Sequence, residues 1–321
     1  MLTSGSVLMV VTYAKVIIHR ILTRLFSSGV SPSRRRVAGT GQVGGVAAKE
    51  VGNHAGMTTD RTIRLGIQLQ PQHADYRQIR DAVLRAEDLG VDIIFNWDHF
   101  FPLSGDPDGK HFECWTMLGA WAEQTERVEI GALVTGGGYR NPDLLADMAR
   151  TVDHISDGRL ILGIGGGWKE KDYDEFGYDF GTPGTRLRLL GNDYLPRIAA
   201  RLKVGNPLPT REIPILIGGG GEQKTLRYVA RFASVWHAFG DVAVMRRKSA
   251  ILAEHCAAIG RDPDEIEHST SAPGAGTSAA DELVAAGVTL FTIGVSGPDY
   301  DLSDVPEWVS WRDRMNGDRA S

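Results

Sequence analysis

Only two cysteines, Cys114 and Cys256, occur in 321 residues. They can form one disulfide at most, which excludes a disulfide-stapled secreted scaffold and makes a reducing cytoplasm the expected compartment. Positive charge is also short: 35 Lys and Arg face 40 Asp and Glu, for a net charge of −5. Nothing in that balance would condense on nucleic acid or anionic lipid. Residues 7–12 and 16–18 are apolar, but Lys15, His19 and Arg20 interrupt them, short of the ~20 apolar residues of a bilayer span. There is no Gly-x-Ser-x-Gly elbow, so a serine hydrolase is not expected. Neither a His-x-His pair nor an acid on the first strand is present, so no metal centre is expected.

What charge there is lies unevenly. Residues 1–56 hold seven Lys or Arg and one acid, Glu50, which leaves the remaining 265 residues at −11. The first 56 residues read as a disordered basic extension, consistent with a conventional start at Met57, and 57–321 as one domain. Hydrophobic residues make up 42% of the chain and charged residues 23%, enough for a sizeable core.

After residue 60, short apolar runs alternate with helical patterns. Strands are predicted at 64–69, 92–97, 128–134, 159–164, 213–217, 234–239, 265–271 and 288–294. Asp75 and Gln78 form a capping-box pattern before a helix that Gly90 stops. Helices are further predicted at 113–125, from Asn141-Pro142, after Gly218–Gly221, at 242–259 and at 278–286, while 168–212 reads as less regular. Eight strands, nearly all followed by helices, fit a closed (βα)8 barrel better than an open doubly wound sheet.

In such a barrel the chemistry sits at the C-terminal ends of the strands. Those ends carry Gln68 and Gln70, then Asp98-His99 with Phe100-Phe101, then Thr135 and a glycine run to Gly138. They continue with Gly163 to Gly167 and Trp168, Gly218 to Gly221, and His237 with Phe239. Three glycine runs on one rim suggest close backbone approach to a ligand. The run ending at Gly221 opens a helix, where free N–H groups make an anion site, with Lys224 and Thr225 in the first turn. Gly163 to Gly167 contains Gly-x-Gly, but a tryptophan and a charged loop follow where a dinucleotide site needs a helix. Histidine is the side-chain type suited to proton transfer near neutral pH, so His99 is the expected proton donor, with Asp98 beside it to orient the ring. Gln68, Phe101, Trp168 and His237 are expected to line the substrate pocket.

The segments GVDIIFNWDHFF (90–101), RVEIGALVTGGGYRNP (127–142), DGRLILGIGGGWKEKDYDEFG (157–177) and PILIGGGGEQKTLRYVARFASVW (214–236) carry a resemblance. In order and spacing they resemble the bacterial-luciferase-like superfamily, and within it the oxidoreductases that use the deazaflavin coenzyme F420. The resemblance covers residues 61–312 and implies a (βα)8 barrel, a small-molecule substrate and a homodimer. It implies that Asp98 and His99 flank the ring, and that a bulge with a non-proline cis peptide at Ala132-Leu133 backs it. Thr135, Gly166 and Gly167 match contacts to the ring and its side chain. Gly220, Gly221, Lys224 and Thr225 match the phosphate end, with Phe239 nearby. Trp168 stands where sugar-phosphate dehydrogenases of the family place an acid, which favours a flatter, more apolar substrate. An FMN-dependent monooxygenase on the same barrel is an alternative, because both cofactors carry a ribityl phosphate. A non-catalytic coenzyme carrier is another, and would require His99 to be structural. Trp115, Met117, Leu118 and Trp121 give one helix more apolar surface than a barrel interior requires, an expected contribution to the dimer.

Overall fold

The computed structural model describes residues 61–320; the expected basic extension lies outside the described residues. Among these, every strand in the sheet runs parallel, in the order β3-β2-β1-β9-β8-β7-β6-β5-β4, and β3 also pairs with β5 to close the ring. The strands are β1 (Arg64–Leu69), β2 (Ile93–Asn96), β3 (Glu129–Ala132), β4 (Thr135–Gly136), β5 (Leu160–Gly165), β6 (Ile215–Gly218), β7 (Val235–His237), β8 (Glu267–Ser271) and β9 (Val288–Val295). β3 and β4 are two halves of one barrel strand, interrupted at Leu133-Val134, so the closed sheet is the expected eight-stranded barrel.

The helices that cover it are α1 (Tyr76–Asp88), α2 (Cys114–Gln124), α3 (Pro142–Ile155), α4 (Glu170–Phe176), α5 (Pro183–Leu189), α6 (Leu195–Leu202), α7 (Thr225–Phe232), α8 (Val242–Ala257), α9 (Thr277–Val284) and α10 (Val305–Ala320). The predicted capping box on α1 is present. Asn141 caps α3 through its side chain and Pro142 opens it, a position where proline's missing N–H costs nothing. The stretch read as irregular is helical: α4, α5 and α6 occupy it, with a wider π turn over Leu190–Tyr194 between the last two. Its first helix, α4, begins two residues after Trp168, where a loop was expected.

Side chains alternate in and out along each strand. Ile93, Phe95, Ile161, Leu216, Val235 and Leu290 fill the barrel interior. The intervening residues, such as Ile94, Ile130, Ile217 and Trp236, pack outward beneath the helices. Cys114 and Cys256 are buried and unpaired, as core residues. Trp115, Met117, Leu118 and Trp121 are all buried within the chain. They pack α2 onto the barrel, which corrects the expectation that α2 keeps an apolar face for a second subunit. No helix among the described residues is long and apolar enough to cross a membrane.

Candidate active site

The interruption of the third barrel strand shapes the floor of the mouth. The peptide joining Leu133 to Val134 is cis, one bond beyond the expected Ala132-Leu133. The Val134 side chain turns inward, into space left by glycines of the two following strands. A Cβ on Gly165 would lie 2.8 Å from it, and one on Gly218 3.0 Å. At Gly163 a Cβ would lie 1.8 Å from the Ala132 carbonyl oxygen, so that glycine is required by backbone contact. Gln68 donates from Nε2 to the Leu133 carbonyl at 2.7 Å and braces the bulge from β1.

His99 follows β2 and is buried. Its Nδ1 lies 2.6 Å from Asp172 Oδ2. A carboxylate only accepts, so Nδ1 carries the proton and Nε2 is left free for a ligand; no partner for Nε2 exists among the described residues. Asp172, on α4, also accepts from the Tyr139 hydroxyl at 2.8 Å and from the Phe100 amide at 3.2 Å. Burial alone would raise its carboxyl, but the hydrogen bonds from His99 and Tyr139 prevail and hold it below its ordinary value. Burial and the adjacent carboxylate push the Tyr139 phenol up, so it stays a donor.

Asp98 does not orient His99, contrary to expectation. It is buried, and Arg140 grips both of its oxygens at 2.5 and 3.1 Å. The same guanidinium binds Glu113, the residue that caps α2 by accepting from the Trp115 and Thr116 amides. Burial pushes the Asp98 carboxyl up, against the pull of Arg140. Asp98 therefore ties the end of β2 to the start of α2, and its expected catalytic and coenzyme-contact roles have no open atom to act through.

Trp168 is 62% exposed and stands edge-on to His99, with ring centroids 5.5 Å apart. Phe101 is half-buried beneath the Lys171 ammonium, 4.4 Å from its ring. Gly167 adopts a positive φ of 73°, and a side chain there would collide with the Tyr173 hydroxyl. Gly166 is half-buried next to Leu187. Thr135, expected to touch the ring, is instead fully buried, and its hydroxyl accepts from Trp115 Nε1 at 3.0 Å, so it serves the seating of α2. Ala132 is likewise buried and supplies backbone to the bulge.

The glycine run after β6 forms a cleft of about 430 Å³ with Leu187, Gly220, Gly221, Glu222, Gln223 and Lys224. Lys224 is the N-cap residue of α7 and its ammonium has no partner among the described residues. Thr225 lies behind the cleft and is buried. Lys248, not singled out from the sequence, reaches from α8 to the Gly220 carbonyl. A free ammonium, glycine amides and a helix N-terminus in one open cleft suit a phosphate. On the next strand His237 is buried, with Nδ1 2.9 Å from Ser269 Oγ, and Phe239, 77% exposed, stands edge-on to it. Burial pushes the His237 imidazole down to about 4. Among the described residues, no group of three or more His, Cys, Asp or Glu could hold a metal ion.

The sequence reasoning brought His99 and Trp168 to one place, and Gly220, Gly221 and Lys224 to another. It missed Asp172, Tyr139, Arg140, Val134 and Ser269 as parts of the site. Residues 55–188 match the family model for luciferase-like monooxygenases. An uncharacterized protein of Mycobacterium tuberculosis is 30% identical over 184 residues, 50% of this chain and 64% of that protein. An F420-dependent glucose-6-phosphate dehydrogenase of Amycolatopsis mediterranei is 27% identical over 180 residues, 50% of this chain and 52% of that one. The chain thus spans between half and two-thirds of the length of these curated relatives. Among solved structures, an F420-dependent secondary alcohol dehydrogenase bound to an F420–acetone adduct superposes with a TM-score of 0.65, covering 77% of this chain and 97% of that one at 15% identity.

Proposed function

We propose that the protein is an oxidoreductase that transfers hydride between coenzyme F420 and a small organic alcohol, ketone or enone. The observation that carries this reading is His99, held by Asp172 with its Nε2 free, at the barrel mouth beside the exposed Trp168. The F420-dependent structural neighbour and the F420-dependent relative support the coenzyme. When bound, the deazaflavin accepts or supplies the hydride.

The protein's own residues do the rest. Val134 backs the ring from the floor of the mouth. Gly220, Gly221, the N-terminus of α7 and Lys224 hold the phosphate. Hydride transfer at a carbonyl or carbinol carbon leaves the oxygen needing to gain or lose a proton, and His99 Nε2 is the group that does so. Asp172 fixes the tautomer and stabilises the imidazolium, and Tyr139 keeps Asp172 in place, the logic by which a carboxylate orients a catalytic histidine elsewhere. Trp168 gives the substrate an apolar wall.

The test is fluorescence titration with F420 and with FMN, then turnover against a panel of alcohols, ketones and enones. Tight F420 binding and turnover that His99→Ala abolishes, with coenzyme affinity kept within a few-fold, are expected. Preference for FMN would move the reading to a flavin monooxygenase. Binding without turnover on any substrate, or an unaffected His99→Ala variant, would favour the carrier.

A further inference from the structure

Five buried side-chain atoms lack a hydrogen-bond partner among the described residues: Trp121 Nε1, Asp153 Oδ1, Tyr173 Oη, His237 Nε2 and His268 Nε2. Buried polar atoms are nearly always satisfied, so each exception asks for a reason. Trp121, Asp153 and His268 lie on the helix-facing side of the barrel: Trp121 in α2, Asp153 in α3 bound to Thr210, and His268 against Ser249 of α8. Tyr173 belongs to α4 and not to the sheet, and its hydroxyl is packed against Gly138 and Gly167. His237 is different. Val235 points into the interior cluster and Trp236 outward, so His237, at the C-terminal end of β7, points inward again, into the mouth. Its register partner on β8 is Ser269, which alternation also turns inward.

The hydrogen bond between these two residues sets which proton His237 carries. Ser269 is fully buried, and its hydroxyl has no acceptor among the described residues other than His237 Nδ1. The hydroxyl therefore donates to Nδ1, and the imidazole proton resides on Nε2. Burial keeps the ring neutral at pH 7. The side chain is then a preformed N–H donor whose proton is not for transfer, held at the end of a barrel strand with no acceptor for it among the described residues.

We infer that His237 Nε2 is a fixed hydrogen-bond donor to a carbonyl oxygen of the molecule bound in the barrel mouth, and so selects for an oxygen acceptor at that point. This rests on the functional reading above, which places the deazaflavin and a carbonyl substrate there, and either can supply the oxygen. A neutral imidazole suits the task because it polarises a carbonyl without offering a competing proton to His99. A buried donor without a partner costs stability, and removing it together with its hydroxyl partner should return some of that cost.

The experiment uses the full chain in three forms: wild type, His237→Gln and the double variant His237→Leu with Ser269→Ala. Long-range ¹H–¹⁵N correlation of the histidine side chains, assigned by the signal lost in His237→Gln, should show a neutral ring protonated at Nε2 in the free protein. Oxidised F420 alone is then added, and acetone after it; the addition that shifts the Nε2 signal identifies whose oxygen is bound. The double variant should melt a few degrees higher than wild type without coenzyme. It should bind F420 roughly tenfold more weakly if the ring supplies the oxygen, or raise KM for ketones by a similar factor if the substrate does. His237→Gln, which can still donate from its amide, should lie within about threefold of wild type. A ring protonated at Nδ1 in the free protein overturns the inference whether or not coenzyme binds. So does an Nε2 signal that neither addition moves, or a double variant with unchanged F420 affinity and unchanged ketone KM. If wild type binds neither F420 nor FMN, the functional reading and the inference fail together; if it binds F420 and only the double variant behaves like wild type, the inference alone fails.

Discussion

Asp172 carries the heaviest duty of any single side chain at the mouth. It receives His99, Tyr139 and the Phe100 amide at once. Asp172→Asn should leave coenzyme affinity within a few-fold and lower kcat by about 10²-fold or more, because the amide no longer fixes the His99 tautomer or stabilises its charge. The substitution also makes a stability prediction. The carboxyl is held below its ordinary value in the folded chain, so its contribution is complete above the unfolded value of about 3.9 and fades as pH falls through the lower folded value. The melting-temperature gap between wild type and Asp172→Asn should therefore be widest near neutrality and close in strong acid. A gap independent of pH would mean that packing, and not charge, keeps Asp172 in place. His99 itself was legible because its residue type and its place at a strand end are local facts. Asp172 was not, since it lies 73 positions away on a short helix whose sequence reads as a charged loop. The Asp98–Arg140 pair was hidden in the same way: two neighbours in sequence, Asp98 and His99, invite pairing, while the strand end turns them toward different partners.

At the level of elements, the interrupted third strand and the cleft before α7 make separate predictions. Gly163→Ala places a methyl group into the Ala132 carbonyl and has no side chain to move aside. A loss of at least about 2–3 kcal/mol is expected, together with weakened coenzyme binding, because the displaced backbone is that of the bulge. Denaturant unfolding and fluorescence titration of one preparation would read both, and a wild-type midpoint would show that the bulge yields at no cost. Lys224→Ala should weaken F420 binding, and by a larger factor at low salt than at high salt, since the lost interaction is between charges. Equal loss at both salts would remove Lys224 from the phosphate site. Strand and helix order were readable from alternation and from caps such as Asp75 and Asn141. The break at Leu133-Val134 was not, because 130–134 is an unbroken apolar run whose fault arises from contacts with β5 and β6. The helix α10 also escaped notice: its inward residues Trp308 and Trp311 are spaced by three, but polar residues surround them. The helix seats on β1, where Asn316 exchanges hydrogen bonds with both backbone groups of Ile63.

For the molecule as a whole, three histidines set the acid limb of stability. Burial pushes His111, His237 and His268 down to about 4 from an ordinary 6.5. Unfolding at intermediate pH would let each take up a proton, so stability is full above about 6.5 and declines as pH falls toward 4. Calorimetry should show the melting temperature falling through that window, and His268→Leu should make the fall shallower. A melting temperature flat from pH 7 to 4 would contradict the burial of these rings as neutral groups. Subunit association, expected from the resemblance and from the apolar residues of α2, finds no support in α2, whose tryptophans are already covered. Light scattering at micromolar concentration would decide whether another face joins two copies.

The exposed Trp168 has a use that depends on no knowledge of the substrate. An indole edge-on to an imidazole at 5.5 Å is an optical neighbour of the proposed proton carrier. Its emission should be quenched as that ring gains charge and altered again when a flat ligand settles against it. The difference in fluorescence between wild type and Trp168→Phe, followed against pH and then against candidate molecules, would make the rim of the barrel its own indicator dye.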